Sequence, residues 1–203
     1  MSSDPQDLTE AEPFRVTKSA EETGGEFVRF EATHYPAPGS AGTGEDLPFH
    51  RWANDNADEH VHPNQEERLK VLSGTYRVII DGTEHTLTEG EEIVCPPNTP
   101  HRHFNPTAEP IRTLKEDRPA RQSEAFFSAL YALAQKGRAD EEGLPPFLQF
   151  AVLQDAYPGH AYMTDLPVGV QKAMFSALGP VGRLLGYRAD VALDEEPAGA
   201  APA

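Results

Sequence analysis

Glu59-His60-Val61-His62-Pro63-Asn64-Gln65-Glu66-Glu67, closed by Gly74, is the stretch on which the reading of this chain turns. Successive side chains of a strand point to opposite faces, so His60 and His62 face one side together. Glu67 lies beyond the Pro63-Asn64 turn, where a carboxylate can swing back toward the two rings from the start of the next strand. About thirty residues on comes Gly90-Glu91-Glu92-Ile93-Val94-Cys95-Pro96-Pro97-Asn98-Thr99-Pro100-His101, with Asn105 just after. A sheet folded back on itself can bring His101 opposite the first three groups. Three imidazoles and one carboxylate suit iron, manganese, cobalt, nickel, copper or zinc better than calcium or magnesium.

The flanking sequence is β-like. Short apolar runs punctuated by turn residues mark strands at 26–33, 47–53, 58–62, 68–73, 75–80, 84–88, 91–95, 100–105 and 110–116. Gly74 falls in one hairpin turn, and Asp81-Gly82 is the strongest hairpin signal in the chain. Past Arg118-Pro119 the period changes to a helical one. Ser123 is placed to cap a helix that buries Phe126, Phe127, Leu130, Tyr131, Leu133 and Ala134 and ends at Gly137. A second helix is expected from Pro145-Pro146, and a third from Pro167 that stops before Gly179-Pro180, with a last short turn over Val181, Leu184 and Leu185. Helices this short must pack on the sheets or on another subunit.

The two histidine stretches resemble the paired sequence motifs of the cupin superfamily. The first, G-x5-H-x-H-x3,4-E-x6-G, fits from His60 through His62 and Glu67 to Gly74, although Asn54 stands where the leading glycine is usual. The spacing to Gly74 selects Glu67 over Glu66. The second, G-x5-P-x-G-x2-H-x3-N, fits at Gly90, Pro96, His101 and Asn105, with Asn98 replacing a glycine. Asparagine is the next most tolerant residue for positive φ, so the turn is expected to survive. The resemblance spans residues 45–118. It implies a mainly β fold, a single antiparallel jelly-roll (cupin) barrel, here with a C-terminal helical extension. It also implies one divalent transition metal on His60, His62, Glu67 and His101, and a homodimer. It implies no single reaction, because cupins include dioxygenases, isomerases, decarboxylases, lyases and plain binding proteins.

The expected organisation is an acidic disordered tail over 1–24, the barrel over 25–118, the helical extension over 119–188 and a second disordered tail over 189–203. Half of the net charge of −16 sits in the two ends, where apolar periodicity is missing. The remainder is still acidic, which argues against nucleic acid or an anionic membrane as partner. One cysteine excludes an intrachain disulfide. MSSDPQDLTE lacks the basic and apolar regions of a secretory signal, and no apolar run reaches bilayer length, so a cytoplasmic location is expected.

His103 shares strand parity with His101 and faces the interior, either as an acid/base near substrate or as a lining residue. Tyr76, Ile80 and Val71 are assigned to the core, as is Cys95. His34, His50, His85 and His160 carry no motif and are read as structural or exposed. Arg112, Lys115, Arg118 and Arg121, interrupted by Glu116 and Asp117, are read as a solvated face. The functional expectation is a dioxygenase-like enzyme, with iron the expected ion, acting on a small organic substrate. The alternative is a metal-bound sensing or binding module without turnover.

Overall fold

A computed structural model describes residues 14–34, 59–140 and 144–191. Ten strands run in chain order: β1 (Phe14–Lys18), β2 (Val28–His34), β3 (His60–Val61), β4 (Glu66–Ser73), β5 (Thr75–Ile80), β6 (Thr83–Thr88), β7 (Glu92–Cys95), β8 (His101–Phe104), β9 (Ile111–Arg118) and β10 (Tyr162–Met163). Three helices complete the chain, α1 (Ser123–Gln135), α2 (Phe147–Ala156) and α3 (Val168–Leu184). The strands form two antiparallel sheets, ordered β1-β2-β9-β4-β7 and β10-β3-β8-β5-β6. This is the mainly β jelly roll that the motifs imply. The strand expected at 47–53 lies outside the described residues, as do His50, Asn54, residues 1–13 and residues 192–203.

Alternation places the core between the sheets. Leu69, Val71 and Cys95 of one sheet and Tyr76, Val78 and Leu87 of the other are buried together with Ile111. The opposite face of the first sheet carries paired charges, among them Arg15–Glu31 at 2.6 Å, Arg118–Glu116 at 2.8 Å and Arg29–Glu116. Asp81-Gly82 turns the hairpin between β5 and β6, both residues at positive φ. Asn98 adopts φ 57°, so the turn survives its missing glycine.

The expected domain boundaries need correction at both ends. Phe14–Lys18 is an edge strand on β2, and Phe14 is buried against Phe30 and Tyr131. Its acidic neighbours concealed the alternation of Phe14 and Val16. At the other end Ala189 and Val191 pack on the cluster of Phe126, Leu130, Leu133 and Leu153. The extension packs on its own sheets. Tyr131 and Phe127 of α1 join Phe14, Val28 and Phe30, while Ala151 of α2 and Phe175 of α3 join Val61 and Tyr162.

Two helix expectations also change. Ser123 caps nothing; it is buried, and its hydroxyl turns inward to Gln65 and His160. α3 continues through Gly179-Pro180 to Leu184. Close packing on α2 explains the continuation: a Cβ at Gly179 would lie 2.5 Å from Asp155, and one at Gly182 would lie 2.5 Å from Val152. That tertiary contact outweighs the helix bond that proline removes.

Candidate metal centre

β3 opposes β8, with His60 directly across from His101. Val61 points the other way, into the helical extension, so His60 and His62 share the inward face as strand parity requires. Glu67, near the start of β4, is fully buried, whereas Glu66 stays at the surface with Arg68. One ligand atom from each of His60, His62, Glu67 and His101 lies within 4.8 Å of all the others. The ring centroids of His60 and His101 are 4.5 Å apart, and those of His62 and His101 are 5.2 Å apart.

The side chains fit a metal ion. His62 Nδ1 lies 2.6 Å from the carbonyl of His160, and His101 Nδ1 lies 2.8 Å from that of Thr99. A carbonyl only accepts, so both Nδ1 atoms carry the proton and both Nε2 atoms direct a lone pair inward. Among the described residues, Nε2 of His62 and of His101 are buried and make no well-formed hydrogen bond. Two atoms bound to one ion at ~2.1 Å are at most ~4.2 Å apart, so the widest separation need close by only about half an ångström.

Around the four groups lies a second polar layer. Glu67 Oε2 is 2.6 Å from Lys115 Nζ and 3.2 Å from His62 Nε2, and Oε1 is 3.0 Å from His103 Nε2. The other nitrogen of His103 meets the Tyr76 hydroxyl at 2.5 Å. Asp117 is buried with Oδ1 3.9 Å from Lys115 and Oδ2 3.8 Å from His160. Ser123 Oγ joins His160 Nδ1 at 3.1 Å and accepts from Gln65 at 2.8 Å.

His103 therefore faces inward as expected. His160 takes the structural one of its two expected roles, and one other expectation fails. His160 is buried at the centre, its carbonyl fixing His62 and its ring 4.9 Å from that of His62. Lys115 and Asp117 belong to the interior, not to a solvated face. Strand parity carries a signal for both, because Ile111, Thr113, Lys115 and Asp117 fall on one side of β9, and an isoleucine at its head marks that side as buried. No comparable signal marks His160, whose position depends on how the extension docks.

Burial drives the titration behaviour. It is the main reason that His60 and His160 are held well below the ordinary histidine range, and His101 is pushed down from 6.5 to about 4. Burial alone would raise Glu67, but Lys115 and then His103 outweigh it and hold the carboxyl well below its usual range. Asp117 goes up, through burial and the nearby Glu67 charge, despite Lys115. A histidine with a depressed native pKa binds fewer protons folded than unfolded, so the metal-free protein loses stability as pH falls from about 6.5 to about 4. His101 alone accounts for roughly 3 kcal/mol of that loss; His60, His160 and Glu67 act in the same sense and Asp117 opposes them. Urea titrations in chelator at about pH 7.5 and about pH 5 check this, and equal midpoints would refute it.

An antiparallel jelly roll whose inner face gathers three histidines and a glutamate defines a β-sandwich protein built around one candidate metal site. Residues 50–115 match the family model described as a cupin domain. That segment holds all four candidate ligands, His60, His62, Glu67 and His101. Among solved structures it is similar to a cupin-superfamily sugar phosphate isomerase from Silicibacter pomeroyi, with 18% identity and a TM-score of 0.39 over 54% of this chain and 61% of that one. It is also similar to KdgF from a Halomonas species, with 14% identity and a TM-score of 0.40 over 55% and 81% of the two chains. A third is the Cupin_2 domain of an XRE family transcriptional regulator from Enterobacter cloacae, with 18% identity and a TM-score of 0.38 over 52% and 93%. The match thus spans about three fifths of the isomerase. No curated protein matches the chain. Among the described residues no helix is long and apolar enough to cross a membrane.

Proposed function

We propose that this protein is a metal-dependent enzyme of dioxygenase type that acts on a small organic substrate, with one divalent transition metal, iron first, on His60, His62, Glu67 and His101. The observation that carries the reading is the convergence of four buried ligand atoms within 4.8 Å, two of them on histidines already oriented by backbone carbonyls. Three imidazoles and a carboxylate suit iron(II) among other divalent transition metals and would leave coordination positions for dioxygen or substrate. When bound, the ion supplies Lewis acidity and redox capacity.

The protein's own groups do the rest. Carbonyls of Thr99 and His160 hold the Nδ1 protons of His101 and His62 and so fix both rings. His103 sits between Tyr76 and Glu67, where its Nε2 can carry a proton at the edge of the site. The buried core adjoins the cluster through Tyr76, which meets His103, and Cys95, which pairs with Glu67.

A second reading, a binding or sensing cupin without turnover, draws on one feature. Both nitrogens of His103 are engaged, by Tyr76 and by Glu67, which leaves it poorly placed as a free acid or base. Elemental analysis of untagged protein purified without chelator, beside the His101→Ala variant, tests the shared premise. Near-stoichiometric iron in the wild type and its loss in the variant are expected; a wild type that stays metal-free after reconstitution would refute both readings. Oxygen uptake by the iron-loaded protein across a panel of enols and catechols then separates them. Uptake is expected, whereas silence together with a ligand that raises the melting temperature and returns unchanged would select the binding reading.

A further inference from the structure

Lys115 is the least expected residue near the centre. Its side chain is 15% exposed and lies on the inward face of β9, where Leu69 pairs with Lys115 and Glu67 with Asp117. Lys115 is thus a diagonal neighbour of Glu67. Its ammonium is 2.6 Å from Glu67 Oε2 and 4.3 Å from the centre of the Phe127 ring, contributed by α1. Asp117 flanks it at 3.9 Å. Burying an ammonium is costly unless a partner compensates, so the Glu67 contact is what retains it there.

A cation this close to a dication site weakens metal binding by simple repulsion, so its place cannot be explained by affinity. Its effect on the shape of the carboxylate is different. Resting on the proposed metal site, we infer that Lys115 is a positioning residue that reserves Oε2 of Glu67, so that the carboxylate presents one oxygen to the ion. With one lone pair of Oε2 taken by Lys115, and Oε1 approached by His103 at 3.0 Å, chelation through both oxygens is disfavoured, and a coordination position that chelation would fill stays open. The α1 helix takes part, because the face of Phe127 covers the ammonium and keeps it on the carboxylate.

The test loads wild type, Lys115→Met and Lys115→Arg with cobalt(II). It reads the ligand-field spectrum, the metal affinity by competition with a chromophoric chelator, and the carboxylate stretches in metal-loaded minus metal-free infrared spectra. Wild type and Lys115→Arg are expected to share one spectrum, with widely separated carboxylate stretches as one-oxygen ligation gives. In Lys115→Met the separation narrows, the cobalt band weakens as the coordination number rises, and affinity increases by about tenfold, at the low end of what residues behind a ligand contribute. A lysine that merely balanced charge would leave the spectra unmoved, so a Lys115→Met spectrum identical to wild type overturns the inference and leaves the metal site standing. A wild type that binds no cobalt overturns both. Should Lys115→Met fail to fold, Lys115→Met/Asp117→Asn removes the cation together with its flanking charge and is judged by the same spectra.

Discussion

Glu67→Ala is expected to cost roughly 3–5 kcal/mol in the presence of chelator, before any metal is considered. Glu67 is fully buried and its Oε2 lies 2.6 Å from the ammonium of Lys115. Removing it takes a carboxylate 2.6 Å away from a largely buried cation, for which Asp117, at 3.9 Å, is the next anion among the described residues. Burial and then the Glu67 charge push the Asp117 carboxyl up, so in the variant it ionises more readily and recovers some of the loss. Glu67→Gln keeps the volume, though not the charge, and falls between the variant and wild type. Both substitutions also remove the one carboxylate of the metal set, so added iron or cobalt raises the melting temperature of wild type and leaves Glu67→Ala unchanged. Denaturant titration with and without metal separates the two losses; a metal-free Glu67→Ala as stable as wild type would show that Lys115 does not depend on this carboxylate.

The second large effect is expected away from the metal. Gly74 joins β4 to β5 at φ 89°, a conformation that an L side chain adopts only under strain. A Cβ built there would lie 2.4 Å from Cγ2 of Ile111, which is buried in the core between the sheets. Gly74→Val meets the backbone strain and the overlap together, for a combined cost of about 3 kcal/mol. Because Gly74 closes the histidine stretch, the variant also tests whether that glycine serves the fold or the ion. Metal-free stability should fall while any protein that does fold keeps its metal affinity. Unchanged stability would refute the packing argument.

Much of this molecule was legible in its residues because two-residue periodicity is a local property. It placed His60 with His62 and His103 with His101, while turn chemistry placed the hairpin at Asp81-Gly82, and the structure agrees at each position. Proline and glycine marked the start of α2 and the end of α1 for the same reason. What escaped was set by distant partners. Lys115 reads as a surface residue until it is paired with Glu67 across β4 and β9. His160 has no local signature, since its role depends on a contact with His62, nearly a hundred residues away. Likewise α3 runs through Pro180 only because α2 lies against Gly179 and Gly182.

The carbonyl of His160 that holds His62 has a further consequence, in time rather than in space. About sixty residues separate His101 from His160, so a ribosome that has made all four candidate ligands still has the extension to synthesise. At about 5–20 residues per second that interval lasts several seconds. Throughout it, His62 lacks the contact that fixes its ring, and the cluster is an unfinished chelator. Full orientation of the His62 ring therefore waits until residue 160 has been made and the extension has docked.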